Sequence, residues 1–581
     1  MEAPLPEAAL SRKRFSLYEQ VMSNPAQLLW LMTILLVAGM IIIPTAYLAY
    51  EAMFSGESIS LAPAINALTT SRARESIVNT VIYVVGVTLI SLCVGVPLAF
   101  LVERTDISPL AKAAVRLTVL VSVITPPFLL TMAYVTLLGP NAGFINVALR
   151  KLLGLRGFRG PFNVYSLPGV LLLGSPRSIA MTYLMAAAAF ERLPPELEEV
   201  AAITGASRAR VLRTVTLPLI RNAIFGAALV SVSTALAAYG SPHMLGYSIL
   251  TLRIREAMVR GNFPEAASIS VVLTLVSLVV LLLYRRSISK GSFATVTGRG
   301  YRPGLFPTGR AKYILGFAAI LYGLLAAVLP IGTLLLVSFF RTMGYGFTAG
   351  NWTVANYLYV FRDRFAINAF RNSILLSMGA ATISVLLTIV IGYITVRQRT
   401  RTSSMIDYIS VIPLGISGTA LAVALIMTFT NQPFRNLQLY GTLTILLVCY
   451  VIRFYPVALR PVQTSMMQIS SDLEEAGRSA GATWGGVTRT ITFPLVKSGL
   501  TAGWILVYLQ SLTELSASII LRHIGTDTIS TAIMDVWDGG GGYQAACAMA
   551  ILSMLMVAVI MGIGVVVLGK SFMKVVGSGG C

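Results

Sequence analysis

Long apolar runs separated by short polar stretches set the pattern of this chain. A bilayer crossing takes about 20 mostly apolar residues as helix. Twelve runs qualify: Leu28–Tyr50, Ile77–Val102, Ala114–Leu138, Leu167–Phe190, Pro218–Tyr239 and Ala266–Tyr284, then Tyr313–Phe340, Asn372–Val396, Ile406–Phe429, Leu439–Leu459, Pro494–Leu521 and Ala545–Leu568. The pattern predicts an all-α polytopic membrane protein, because an open sheet edge leaves backbone groups unsatisfied in lipid. Pro44, Pro126, Pro127 and Pro413 fall inside spans and predict kinks. The first run is too long for a signal-peptide core and no small-residue cleavage site follows, so it reads as a retained anchor.

Basic residues give the expected orientation. Arg12, Lys13 and Arg14 precede the first span and place the N-terminus in the cytoplasm. An even number of crossings returns Lys570 and Lys574 to that side, and Arg397, Arg399 and Arg401 also fall there. The stretch Arg285–Lys312 holds seven basic residues, no acidic residue, five Gly and two Pro, the composition of a cytoplasmic linker. It divides the chain into a first half, 1–284, and a second half, 313–581, around the linker 285–312. The loop Gly139–Ser166 is expected outside yet carries Arg150, Lys151, Arg156 and Arg159 and no acid, which makes it a basic external surface.

Composition then excludes most function classes. Charged residues are 12% of the 581, about half the ~25% usual in soluble domains. The excess of 44 Lys and Arg over 23 Asp and Glu reads, in a chain this apolar, as loop retention and contact with anionic lipid rather than nucleic acid. Two His and four Cys, none in a CxxC pair, offer neither a metal cage nor a disulfide framework. His243 and His523, near the external face, lack the acid cluster a metal site needs and read as helix-end residues. The segment Gly564–Ser571 matches GxxxxGK[ST], but it straddles the end of the last span without the strand and helix that a phosphate loop requires.

The polar loops carry the strongest signal. At an offset of 276, the segments Glu196–Leu219 and Asp472–Leu495 share 11 of 24 residues, most of them not apolar. Each lies between the fourth and fifth spans of its half and reads as helix, break, helix. Pro194 and Pro195 with Glu196, Glu198 and Glu199 suit a helix start. Ser471 and Glu474 have capping-box spacing. Gly205 and Gly481 are placed to end the helices, and Ser207 and Thr483 to cap the next ones. Pro218 and Pro494 open the following spans.

The spacing Glu199, Gly205, Val215, Leu217, Pro218, repeated at Glu475, Gly481, Ile491, Phe493, Pro494, resembles the EAA loop of bacterial ABC importer permeases. The second copy departs where Gly477 and Arg478 replace Ala201 and Ala202. The resemblance is best over about 75–284 and 371–568 and implies two tandem six-helix repeats of the type I importer fold. The fused layout, with Pro126-Pro127-Phe128, Leu138–Gly143 and Glu514–Ser518, is similar to ferric-iron permeases, a group that shades into carriers of thiamine, polyamines, phosphonates and sugar phosphates. It further implies an extracytoplasmic substrate-binding protein and two cytoplasmic ATP-binding subunits, which use the ATP and Mg; this chain holds no cofactor. The subunits would dock on Glu198, Glu199, Ala201, Ala202, Gly205 and Pro218, and on Glu474, Glu475, Gly481 and Pro494, with the carboxylates meeting the ATPase surface.

Three ionisable residues lie at membrane depth: Arg177, Arg453 and Glu514. Each costs roughly 2.5–3.5 kcal/mol at a helix centre on insertion scales, so each is a candidate for the substrate pathway. No hydrolase triad, zinc-protease motif or dinucleotide fingerprint occurs. The alternative class is an ion-coupled secondary transporter, which also uses two six-span repeats but has no use for duplicated polar loops.

Overall fold

The computed structural model describes residues 25–55, 58–59, 62–155, 157–290, 305–397, 401–539 and 542–568. The N-terminal basic cluster, residues 291–304 of the linker, Arg156, Arg399 and residues 569–581, with Lys570, Lys574 and Cys581, lie outside them. In the first half the main helices are α1 Pro25–Met53, α2 Ser71–Arg104, α3 Pro109–Ile124, α4 Pro127–Leu138, α5 Leu167–Gly174, α6 Pro176–Glu191, α7 Pro195–Ile203, α8 Leu217–Leu236 and α9 Phe263–Lys290. The second half has α10 Ala311–Ser338, then α11 Arg364–Arg397, α12 Arg401–Val411, α13 Gly418–Thr430, α14 Leu443–Met467, α15 Ser471–Ser479, α16 Phe493–Leu512 and α17 Tyr543–Leu568. Among the described residues the only strands are the two-residue pair Phe54–Ser55 and Ser58–Ile59.

Among those residues nine helices are long and apolar enough to cross a membrane, and three further spans are bent helix pairs. The bends correct three runs read as single spans. Ala114–Leu138 splits into α3 and α4 at an angle of 110°. Thr125, followed by Pro126, is extended (φ −75°, ψ 130°), as the ring of a following proline demands. Ile406–Phe429 breaks by 105° at Ile416, where Ser417 caps a new helix by accepting from the Ala420 N–H. Leu167–Phe190 bends by 47° before Pro176. The run Pro494–Leu521 ends at Leu512; a turn and the short helix Ser518–Leu521 follow.

The halves repeat in detail. Helices α2 and α11 each have 34 residues, α7 and α15 nine, α8 and α16 twenty. Before α8 and α16 stands the same five-residue π-helical turn, Leu212–Thr216 and Thr488–Thr492. Helices α1 and α10 cross over: α1 packs on α13 as well as on α9, and α10 packs on α3 and α4 as well as on α17. One apolar core runs through both halves.

Burial is inverted relative to a water-soluble bundle. On α2, Val78, Val81, Val85 and Leu89 form an exposed apolar stripe at helical spacing, while Ser76, Thr80 and Ser91 face inward. Ser91 donates to Ser231 of α8 at 3.0 Å and accepts from Thr182 of α6 at 3.3 Å. Interhelical hydroxyl bonds of this kind replace the hydrophobic drive that lipid does not supply. In the second half α14 and α16 approach through Gly499 and Gly503; a Cβ at Gly499 would lie 2.6 Å from the Pro461 carbonyl oxygen. Gly499→Val is therefore expected to lower stability by about 1–3 kcal/mol through overpacking, read as an earlier thermal unfolding of the detergent-solubilised chain.

Candidate functional site

The duplicated polar loops are built around an inward-facing carboxylate. Glu198, on α7, accepts from Thr216 Oγ1 at 2.7 Å and is ion-paired with Arg104, the fully buried last residue of α2. Glu474, on α15, accepts from Arg397 at 3.0 Å and from Thr492 Oγ1 at 3.1 Å. Arg397 ends α11 and also donates to the Ile469 carbonyl at 3.0 Å. Each loop is thus clamped between the end of a long span and the π-helical turn that opens the next one. This corrects the expectation that all four carboxylates face outward: Glu198 and Glu474 turn into the protein, and Glu199 and Glu475 are exposed.

The rest of the loop completes an outward surface. Leu197, Val200 and Ile203 are exposed beside Glu199, with Ile203 85% exposed, and Leu473 is exposed beside Glu475. Ala201 is half-buried, and the Ala202 side chain lies outside the described residues. Gly205 and Gly481 sit at φ +82° and +86° with open space where a Cβ would stand, a left-handed conformation that costs a residue with a Cβ about 1–2 kcal/mol. Pro218 and Pro494 stand exposed in the first turn of α8 and α16. Two capping expectations are corrected. Ser470, not Ser471 with Glu474, caps α15, because the Glu474 carboxylate is engaged by Arg397; Ser207 makes no cap bond, whereas Thr483 accepts from the Gly486 N–H at 3.2 Å.

Both loops lie at the linker end of the bundle. Arg208, just after the first loop, donates to the Pro307 carbonyl at 2.6 Å. Asp106, between α2 and α3, accepts from the Thr308 N–H and Oγ1 at 2.8 and 2.6 Å, and these donors hold its carboxyl below the usual carboxylate range. Near the end of α9, Arg285 pairs at 3.3 Å with Asp407 of α12, the helix after the one that ends at Arg397.

The three membrane-depth residues, read separately in the sequence, come together. Arg453 Nε on α14 lies 3.5 Å from Glu514 Oε2, just past α16. Glu514 Oε1 also accepts from Ser516 Oγ at 2.7 Å and the Ala517 N–H at 2.9 Å, which fixes the turn after the helix. Arg177 on α6 donates to Gln510 Oε1 at 3.1 Å and to the Val123 carbonyl at 3.4 Å. Arg177, Arg453 and Gln510 line both a cavity of about 1120 Å³ between the halves and an adjoining one of about 340 Å³, which Glu514 also lines. The corners of the broken spans, Pro127 and Leu414, open onto these cavities.

Among the described residues no three His, Cys, Asp or Glu side chains converge on a metal site. His243 Nε2 is 2.8 Å from Asp538 Oδ2 of the other half, and the ring stacks on Tyr239. The His523 backbone N–H donates to Thr526 Oγ1 at 2.7 Å.

Residues 95–289, from within α2 to the end of α9, match the family model described as binding-protein-dependent transport system inner membrane component. The ferric transport system permease protein FbpB of Actinobacillus pleuropneumoniae is 23% identical over 542 residues, covering 91% of this chain and 76% of its own. The Fe(3+)-transport system permease protein FbpB 2 of Haemophilus influenzae is 24% identical over 554 residues, covering 94% and 99%. Over most of its length the chain is similar to these transport system permeases. Both alignments extend over the two halves of this chain. A solved bacterial ABC transporter that imports the acidic polysaccharide alginate aligns with 48% of this chain and 99% of its own, at 16% identity and a TM-score of 0.39.

Sequence reasoning missed four residues of the clamps. Arg104 went unremarked and Arg397 served only as a topology marker. Thr216 and Thr492 were counted among the repeated identities but given no role. The available signal was a conjunction: an arginine closes each 34-residue helix, and a threonine stands 18 residues after each inward glutamate.

Proposed function

We propose that this protein is the transmembrane permease subunit of an ATP-driven importer, with the pathway at the interface of its two halves. Two cytoplasmic ATP-binding subunits dock on the exposed faces of α7 and α15, and an extracytoplasmic binding protein delivers cargo to the opposite face. Both termini and the linker 285–312 lie on the cytoplasmic side, the halves 1–284 and 313–581 acting as two tandem six-span units. The chain performs no covalent chemistry; ATP and Mg act in the partner subunits. The cargo class suggested by the relatives' names is ferric iron.

The observation that carries this reading is the pair of clamped loops at one end of a duplicated membrane body. A carboxylate pinned to the end of a span transmits a push on α7 or α15 into the bundle, because the span end and the next span's π-helical turn move with it. The exposed Leu197, Val200 and Ile203 give the apolar area that a protein partner covers. Gly205 and Gly481 set the direction in which each loop leaves its helix. Valine at both positions is expected to lower ATP-driven uptake in proteoliposomes by about tenfold or more, the effect of roughly 1.4 kcal/mol or more of strain, while ATP hydrolysis by the bound subunits persists. Equal uptake and hydrolysis in variant and parent would reduce the loops to scaffolding.

A further inference from the structure

The cavity between the halves is electrically one-sided. Among the described residues that line it and its smaller neighbour there are five arginines, Arg177, Arg285, Arg397, Arg453 and Arg460, and two carboxylates, Asp407 and Glu514. Both carboxylates are already engaged. Asp407 is shared between Arg285 at 3.3 Å and Arg460 at 3.7 Å, and also accepts from Gln463 at 3.0 Å. Glu514 serves Arg453, and Arg397 is matched by Glu474 behind the cavity wall. That leaves one charge of the Arg285–Arg460 pair and one of the Arg177–Arg453 pair uncompensated, since Glu514 is the carboxylate shared by the latter two and the hydrogen-bond partners of Arg177 are the neutral oxygens of Gln510 and Val123.

Two further features add positive field. The Arg453 Nη1 is buried and has no hydrogen-bond partner. Helix α4, twelve residues long, presents its N-terminal Pro127 and Phe128 to the cavity, and α13, thirteen residues long, begins at Gly418 against the Arg453 guanidinium. A helix N-terminus carries about half a positive charge, and half-helix N-termini at membrane depth favour anionic groups. A bare multivalent cation would meet like charge along this whole path.

We infer that the cargo crosses this permease as an anion, either a free oxyanion or a metal ion held in a net-negative complex, with Arg177 and Arg460 as its attracting contacts and Arg453, oriented by Glu514, beside them. The inference rests on the importer reading for its direction and energy source, but the charge selectivity belongs to the chain alone. It turns the ferric suggestion into a sharper one: iron would travel with acidic ligands, not as the aquo cation.

The test is a cysteine at Leu414, which lines both cavities and is 41% exposed, in the full-length chain with Cys93, Cys449, Cys547 and Cys581 replaced by serine or alanine. The purified protein in detergent is reacted with anionic sulfonatoethyl and cationic trimethylammonioethyl methanethiosulfonate. The anionic-to-cationic rate ratio is compared with that of β-mercaptoethanol. An increase of about tenfold is expected from two uncompensated charges at this range, shrinking at high salt. Arg177→Gln with Arg460→Gln is expected to return the ratio toward that of the free thiol, and the two lysine replacements to preserve it. A Leu414→Cys protein whose ratio equals the free thiol's, or favours the cationic reagent, overturns the inference whether or not the charge variants fold. Because no nucleotide or partner subunit enters the assay, failure of the importer reading shows elsewhere, as absence of ATP-driven uptake. Slowing of the anionic reaction by inorganic phosphate assigns a free oxyanion, and slowing by ferric citrate but not by citrate assigns the anionic metal complex.

Discussion

Glu198→Ala is expected to release α7 from the body of the protein. Its carboxylate is the partner of Arg104, whose side chain is fully buried and whose Nε and Nη1 have no other hydrogen-bond partner. Removing one member of a buried pair costs about 3–5 kcal/mol, because the other charge is left without compensation. Spread over the equilibrium between an attached and a detached loop, that is a shift of about 10²–10⁴. Thr216 loses its acceptor in the same step, so the π-helical turn that opens α8 loosens too. The expected result is loss of ATP-driven uptake together with faster amide hydrogen exchange across Pro195–Ile203. Glu474→Ala is expected to act in the same direction through Arg397 and Thr492, less strongly because Arg397 keeps the Ile469 carbonyl. The double variant Arg104→Ala, Glu198→Ala is expected to be milder than the sum of its parts. Unchanged exchange in the Glu198 variant would mean that the clamp carries no energy.

Glu514→Ala is the second large effect. It leaves Arg453 unpaired beside Arg177 at membrane depth and removes the acceptor for Ser516 Oγ and the Ala517 N–H. The same cost of about 3–5 kcal/mol applies, here at the contact between α14 and the turn after α16. Uptake is expected to fall by about 100-fold, with earlier thermal unfolding. Glu514→Gln retains an acceptor for the turn and loses only the charge, so it is expected to recover most of the thermal stability but little of the transport. Equal transport by Glu514→Gln and the parent would show that Glu514 shapes the turn without orienting Arg453.

The sequence carried the membrane body well because apolar run length is a direct reading of bilayer thickness, and the Glu196–Leu219 repeat carried the loops because polar identities cannot arise from shared hydrophobicity. It could not show which way Glu198 and Glu474 point. Capping and docking both ask for an acid near a helix start, and only the position of Arg104 and Arg397, 94 and 77 residues earlier in the chain, decides between them. The broken spans were half visible. Pro126 and Pro413 announced a disturbance, but a proline inside an apolar run is equally compatible with continuation, as Pro44 in α1 and Pro456 in α14 demonstrate. The cavity was hidden for the same reason as the clamps: Arg177 and its partner Gln510 stand 333 positions apart and meet only when the two halves pack, and Arg453 meets Glu514 only when α14 packs against the turn after α16.

The most direct test of the central claim is the composition and activity of the complex that the tagged protein forms in its own membrane, purified in mild detergent. Two ATP-binding subunits per chain are predicted, with an ATPase activity that reconstitution converts into ATP-driven uptake, and their loss is predicted when Ile203 and Glu199 of the first loop and Leu473 and Glu475 of the second are replaced together by lysine. A chain that purifies without a nucleotide-binding partner and still moves solute down an ion gradient would contradict the account and make the protein an ion-coupled transporter.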